Sequence, residues 1–348
     1  MAKVSVGLKV GSTSLKFVEL LHSKGRFELK NIGVENFPFS EKKDGYINNV
    51  SFVATKIKEV IRRYRLNPKR IVTGVEGESV VVRIIKVPYM KERELREAIR
   101  WEAQEHLPYP LEEITLGYHV LRKDLIGAQG REMSVLIVGV KRQTVDEYLE
   151  VFQEAGICPA IIDVNSLALY NVAENMGIAK EGVALLNIGH RVTNLLILSE
   201  GYPFLVRDIK FGGNDVTLFL MKSFNINYAE AENLKKSYTL SPNNEEKIEE
   251  AIRSSMGEFI NEIIRSFEYY TSNREGSVVQ KIVISGGGCL LKEVEIALSQ
   301  ELEIPVEKMN PFAKITYRQG DFGSFLPSLS CLFAVPVGLA LREVSFYD

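Results

Sequence analysis

Polar and apolar residues alternate along the opening of the chain, and the apolar ones are largely β-branched. Val4 to Val10, Leu15 to Leu20 and Phe27 to Val34 read as the strands of a meander. The period then changes: Val53, Ile57, Val60, Ile61 and Tyr64 recur at helical spacing until Asn67-Pro68, where a helix must stop. Strands Arg70 to Val75 and Val80 to Val87 come next. After them the pattern is that of a small module: helix Glu92 to Leu107, strands Thr115 to Leu121 and Met133 to Val140, and helix Thr144 to Ala155. Lys123 to Arg131, with Gly127 and Gly130, reads as its exposed hairpin tip. Strand Ala160 to Val164 and helix Leu167 to Met176 return to the first domain, so the module is an α+β insertion.

A second strand-hairpin unit runs from Val183 through Arg207. Gly212-Gly213-Asn214-Asp215 then introduces a pattern that is almost all helical to Tyr270, with Ser237 to Glu246 as a polar surface loop. Ile248 to Tyr270 reads as one long helix carrying Ile252, Phe259, Ile260, Ile263 and Phe267 on one side. Strand Lys281 to Ser285, helix Leu291 to Leu302 and an uncharged stretch, Gly323 to Leu341, close the chain. That stretch approaches the length of a membrane span. Pro327, Pro336 and its serines interrupt it, and it reads as a buried final helix, Val337 to Arg342, opened by Pro336.

Two turns share one shape. Gly11-Ser12-Thr13-Ser14 and Gly189-His190-Arg191-Val192-Thr193 each join one apolar strand to another through a glycine and hydroxyl groups. Such a hairpin can hold a phosphate on backbone N–H groups, with Ser12, Thr13, Ser14 and Thr193 as further donors and Lys16 within reach of the same pocket. A third cluster, Gly286-Gly287-Gly288, follows strand Lys281 to Ser285 and offers a flat backbone surface on which a base could lie. The repeated hairpin implies a duplicated α/β architecture with a cleft between its halves.

At 348 residues with a net charge of −2, the chain can bury more than one core and should divide into domains. Acidic and basic residues intermix without long blocks, so the charge balance recommends neither nucleic acid nor an anionic membrane as the main partner. Its three cysteines are far apart and form no CxxC pair, and its four histidines show no metal-ligand spacing. No secretory leader is recognisable at the start. These features place the protein in the cytoplasm.

Taken together, the opening hairpin, Ala98 to Ala103 with His106-Leu107-Pro108-Tyr109-Pro110, Ile162-Asp163-Val164, Asn187-Ile188-Gly189, Ser285 to Gly288 and Val337 to Arg342 resemble the type IV pilus assembly protein family PilM. That family is related to FtsA within the actin and Hsp70 group. The resemblance spans nearly the whole chain, and Arg100 to Pro110 is its most specific part. It implies an actin/Hsp70-like two-lobed duplicated fold with an inserted FtsA-type 1C α+β subdomain. The divisions would be 1A at 1–82 (with 157–181 and 330–348), 1C at 83–156, 2A at 182–215 (with 276–329) and a mostly helical 2B at 216–275. ATP or ADP would lie between the lobes against Gly11 to Ser14, Lys16, Gly189, Thr193, Gly212, Gly213 and Gly286 to Gly288. Ala231-Glu232-Asn233-Leu234-Lys235 matches the helix that faces the nucleoside, with Glu232 near the ribose and Lys235 near the base.

The resemblance also implies partners. The short cytoplasmic N-terminus of PilN would dock in a groove between 1A and 1C, near helix Glu92 to Leu107 and strand Val80 to Val87, making the chain a scaffold at the inner membrane through its partners. Pilus motor ATPases, the platform protein and a second copy of the chain are further candidates. On the same helix Leu95, Ile99, Ala103 and Leu107 form the apolar stripe. Trp101, the chain's single tryptophan, falls off that stripe, either covering a neighbouring subdomain or anchoring a partner peptide.

Departures from the hydrolytic pattern bear on mechanism. Lys9 and Asn187 stand where hydrolysing members of the fold carry the acids that organise Mg²⁺, and Asn165 stands near the water-positioning residue; Asp163 is a remaining acid of ambiguous register. Lysine repels a divalent cation but binds phosphate directly. The expectation is nucleotide binding with weak metal dependence and little or no turnover, unless Lys9 points away from the pocket, which strand alternation also allows. Two rivals remain: an active ATPase or phosphotransferase of the same fold, and an FtsA-like filament protein tethered to the membrane directly. The second wants a basic amphipathic C-terminal helix, whereas the chain ends in Val344-Ser345-Phe346-Tyr347-Asp348.

Overall fold

Strand β1 (Lys3–Val10) and strand β2 (Ser14–Ser23) pair antiparallel with Val10 opposite Leu15. A two-residue turn at Lys24-Gly25, both at positive φ (48° and 74°), then returns the chain as β3 (Arg26–Asn36). The structure is a computed structural model and describes all residues except 1–2, 38–41, 44–45, 128–129, 181, 241–245, 274–276, 319–324 and 343–348. A short hairpin, β4 (Lys42–Lys43) and β5 (Tyr46–Ile47), leads into helix α1 (Val50–Tyr64), which is capped by Asn49 and buries Val53, Ala54, Ile57 and Val60. Strand β6 (Ile71–Val75) lies parallel beside β1.

The inserted module is a sheet of three antiparallel strands in the order β7-β9-β8, built from β7 (Val80–Pro88), β8 (Ile114–Gly127) and β9 (Gly130–Lys141). Helix α2 (Glu92–His106) covers it, burying Leu95, Ile99 and Ala103 against Ile85, Val87, Val135 and Ile137 in an apolar cluster of its own. Helix α3 (Arg142–Glu154) does something different. Its Tyr148, Val151 and Phe152 are buried in the core of the first lobe rather than in the module's cluster.

Strand β10 (Ile161–Val164) completes the first sheet in the order β10-β6-β1-β2-β3. Helix α4 (Asn165–Met176) follows without a linker. The second lobe repeats the plan. Strands β11 (Val183–Ile188), β12 (Thr193–Ser199) and β13 (Tyr202–Ile209) form the antiparallel meander, and β14 (Lys281–Ser285) and β15 (Val306–Lys308) add in parallel, giving the order β13-β12-β11-β14-β15. The residues of β11 and β12 are buried on both faces. Leu185, Leu196 and Leu198 point into the first lobe's core, whereas Ala184, Leu186, Leu195 and Ile197 point into a second cluster beneath the helices. Strands covered on both sides read as continuous apolar runs.

Those helices are α5 (Gly213–Phe224), α6 (Tyr228–Leu240), α7 (Glu246–Ser254) and α8 (Gly257–Asn273). Two expectations are corrected here. The long helix over Ile248 to Tyr270 is two helices, broken where the Ser255 hydroxyl donates to Ile252 O (2.6 Å) and the fully buried Met256 enters the core. The loop expected from Ser237 begins later, because Tyr238 is buried and its hydroxyl reaches Glu249 (3.0 Å) and Glu293 (2.5 Å), holding α6 helical to Leu240; residues 241–245 of that loop lie outside the described residues.

Helix α9 (Lys292–Leu302), the short α10 (Phe325–Leu329) and α11 (Ala334–Ala340) end the described chain. The final helix starts at Ala334 rather than Val337. Pro336 sits in its first turn, where its missing N–H would have had no helical partner. Every residue of α11 is buried, and glycine permits the fit: a Cβ on Gly7 would collide with Pro336 O, and one on Gly338 with Ala168 O of α4. Among the described residues no helix is long and apolar enough to cross a membrane.

Candidate functional site

A cavity of about 600 Å³ opens between the lobes, at the ends of the two hairpins. Gly11 N donates to Ser14 O (2.9 Å) and Gly189 N donates to Val192 O (3.0 Å), so both turns close in the same way and leave their tips facing one space. Gly11, Ser12, Thr13, Ser14 and Lys16 line one wall, Gly189 and Gly213 the opposite one, and Gly286, Gly287 and Gly288 a third. Gly286 needs to be glycine, since its φ is 87° and a Cβ would strike Ile188 O.

Glu232 and Lys235 also line the cavity. They are pinned by the start of α5: Lys235 Nζ donates to Gly213 O (2.8 Å) and Thr217 Oγ1 (2.6 Å) and pairs with Glu232 Oε2 (2.7 Å). Burial alone would push the Glu232 carboxyl up, but the hydrogen bond and charge of Lys235 outweigh it and hold it below its ordinary range. Two expected residues stay out of the space. Thr193 is fully buried with its hydroxyl donated to Phe211 O (2.8 Å), and Gly212 packs against the His190 backbone, where a Cβ would not fit. Both shape the wall from behind.

Lys9 points into the cavity and is nearly buried. It stands opposite Lys16 across the β1–β2 ladder, as Asn187 stands opposite Asn194 in the second hairpin. The two pairs behave differently. Lys16 donates to Ser14 Oγ (2.7 Å), and burial, together with the charge of Lys9 and against the pull of Glu76, lowers its pKa to about 8. Asn187 donates to Asn194 Oδ1 (3.0 Å), and Asn194 in turn donates to Asp208 Oδ1 (2.8 Å).

Glu76 and Asp208, which pattern reading did not single out, organise the floor. Glu76 follows β6 at the carboxyl end of a parallel strand, where sites in α/β folds gather. It pairs with Lys9 Nζ (3.3 Å) and accepts from Asn165 Nδ2 (2.6 Å), so the Lys9 charge is partly answered within the protein. Asp208 Oδ2 accepts from Gly77 N (2.6 Å) and its Oδ1 accepts from Ser166 (3.2 Å), which ties the second lobe to the first. Burial pushes the Asp208 carboxyl up to about 6, against its hydrogen bonds from Asn194, Gly77 and Ser166 and with some help from Glu76. His190 lines the wall with its pKa lowered to about 4, by burial first and then by Lys235.

Asn165 is fully buried behind Glu76 and does not line the cavity. Asp163 forms an ion pair with Arg342 (2.9 Å) and accepts from Val164 N (2.8 Å), outside the cleft. Trp101 is 75% exposed and covers no neighbouring subdomain.

A duplicated pair of five-stranded α/β lobes, with matched hairpins and a glycine turn around one cleft, defines the two-lobed actin-like class. Comparison with known proteins narrows this. A sequence model of the family described as "Type IV pilus assembly protein PilM" matches residues 7–344, and the chain belongs to that family. Among solved structures, a "PilM-PilN type IV pilus biogenesis complex" chain superposes with a TM-score of 0.84 at 29% identity, covering 98% of each chain. The ethanolamine utilization protein EutJ of Carboxydothermus hydrogenoformans gives 0.58 at 15% identity, with 97% of this chain and 89% of that one covered. MreB5 of Spiroplasma citri bound to ADP gives 0.51 at 14% identity, with 97% and 94% covered. The last two are likenesses of fold.

Proposed function

We propose that this chain is a nucleotide-responsive scaffold of the type IV pilus assembly platform, cytoplasmic and held at the inner membrane through its partners. The observation that carries the nucleotide reading is the cleft itself, in which both hairpin turns, Lys9 and Lys16 face one cavity of about 600 Å³. In this reading the phosphates of ATP or ADP lie on the Gly11 to Ser14 and Gly189 turns with the lysines as counter-charge, and the base lies on Gly286 to Gly288 with Glu232 and Lys235 beside the nucleoside. The resident ammonium of Lys9 fits an anionic phosphate tail better than a divalent cation. Glu76 is engaged by Lys9 and Asn165, and Asp208, behind the cavity wall, by Gly77, Ser166 and Asn194. Binding would therefore depend weakly on Mg²⁺ and lead to little hydrolysis.

The partner reading rests on family membership and on the match to a chain of a PilM-PilN complex. The cytoplasmic N-terminus of PilN would dock in the groove between the first lobe and the inserted module, beside α2 and β7. Pilus motors, the platform protein and a second copy of the chain would contact other faces.

Calorimetric titration with ATP and ADP, each in Mg²⁺ and in chelator, tests the nucleotide reading. Affinity within about threefold across the metal conditions is expected, falling into the range where one weak metal contact is worth less than about 1 kcal/mol. Lys9→Asp should make affinity strongly Mg²⁺-dependent. Indifference to both nucleotides would overturn the reading, and multiple turnover in a hydrolysis assay would favour the ATPase rival.

A further inference from the structure

At the other end of the first sheet from the cleft, a concavity of about 230 Å³ is walled by cations from separate elements. Lys3 begins β1, and Lys24 and Arg26 flank the tight turn between β2 and β3. Arg70 ends the segment before β6, and Arg342 follows α11. His22 lies among them. No carboxylate lines the concavity among the described residues. Asp163 pairs with Arg342 at its edge, and Glu28, on the same strand as Arg26, pairs with Lys30. Lys3, Lys24 and Arg26 are exposed and make no ion pair among the described residues, so the local charge is strongly positive in a chain whose net charge is −2.

The floor is ordered. Ser5, His22 and Ala340 O form a hydrogen-bonded group there, with Ser5 Oγ to His22 Nε2 at 2.8 Å and His22 Nε2 to Ala340 O at 3.2 Å, and the His22 ring packs edge-on against Phe27 at 4.5 Å. The positive φ of Lys24 (48°) and Gly25 (74°) fixes the turn that carries Lys24 and directs Arg26 to the rim. The length of β1 separates this site from Lys9 by roughly 20 Å, beyond about two Debye lengths at physiological salt. It cannot serve the cleft as a phosphate subsite.

We propose that this concavity is a second anion site, which takes a phosphate group of headgroup size. Lysine and arginine side chains that converge on a concavity with no carboxylate in its described lining are the arrangement that binds phosphate oxygens, arginine by paired N–H donors and lysine as a point charge. The same chemistry would serve a soluble phosphate ester or the headgroup of an anionic phospholipid. The site is independent of the nucleotide reading.

Two probes separate the sources. Inorganic pyrophosphate is titrated into the full chain by calorimetry, and the protein is sedimented with phosphatidylglycerol or phosphatidylcholine vesicles. Each is repeated with the double variant Lys3→Gln/Arg26→Gln, whose side chains are exposed, and with Lys16→Met as a cleft control. A component of pyrophosphate binding that the double variant weakens at least tenfold, separate from any component that Lys16→Met weakens in the cleft, would support a soluble ligand. Sedimentation with phosphatidylglycerol alone, weakened by salt and lost in the double variant, would support the lipid source. The proposal is overturned if neither probe binds, or if the double variant leaves the binding of both unchanged.

Discussion

Lys9 and Lys16 face each other across one hairpin, and the hairpin's register makes that unavoidable: a turn closed between Gly11 and Ser14 puts Val10 opposite Leu15 and the lysines one step behind. The turn glycine, the hydroxyls and Lys16 were legible in the chain because they are neighbours in sequence. Glu76 and Asp208 were not, because each acts through partners far away along the chain and looks like an ordinary strand-end acid. Asn194 was legible in principle, as the repeat partner of Lys16. A chemical consequence belongs to Lys16. Burial and Lys9 lower its pKa to about 8, so near pH 8 roughly half of it is neutral. An anionic phosphate favours the charged form and pulls the pKa back up. Nucleotide binding near pH 8 should then take up a fraction of a proton, seen as a dependence of the calorimetric heat on buffer ionisation enthalpy. Affinity should fall as pH rises through about 9. Lys16→Met should abolish the proton uptake and cost about 1.5–3 kcal/mol of binding, the worth of a charged hydrogen bond.

Helix α2 shows how far an element can be read from its period. Leu95, Ile99, Ala103 and Leu107 fall on one face and are buried, as their spacing predicts. What the period leaves open is the use of the off-stripe residue, because an aromatic away from the core face could cover a neighbour or meet solvent. At 75% exposure Trp101 does the latter. Helix breaks were harder: α7 and α8 share one continuous apolar period, and only the buried Met256 and the Ser255 bond to Ile252 O divide them. Trp101→Ala should leave folding stability within about 0.5 kcal/mol of the parent, as exposed positions do. Ile99→Ala, by contrast, should cost about 2–5 kcal/mol. If α2 borders the peptide groove, the same Trp101→Ala change should weaken binding of a synthetic PilN cytoplasmic peptide by at least about tenfold, as loss of a buried aromatic anchor does. Because Trp101 is the single tryptophan, its emission reports the contact directly in a peptide titration. An unshifted spectrum on saturation would place the groove elsewhere.

At the scale of the whole molecule, duplication was legible from two hairpins and a glycine turn, and the matching sheet orders bear it out. The coupling between the lobes was not, since it depends on where strand β13 meets the end of β6. Asp208 is one polar link in it: its oxygens accept from Gly77 N and Ser166 of the first lobe and from Asn194 of its own. The arrangement costs stability. Burial raises this carboxyl from an ordinary 3.8 to about 6, so between those values the native protein holds the proton more tightly than the unfolded chain does. Its contribution to stability is therefore fully present below about pH 3.8 and is lost as the pH rises through about 6. Asp208→Asn has no such titration. In urea unfolding at a series of pH values, the stability of the parent relative to Asp208→Asn should fall by about 1–3 kcal/mol between about pH 4 and pH 7. A flat difference would mean that Asp208 bears its charge at no cost. The site would then lack the desolvated floor that strengthens its bonds to Gly77 and Ser166 across the lobes.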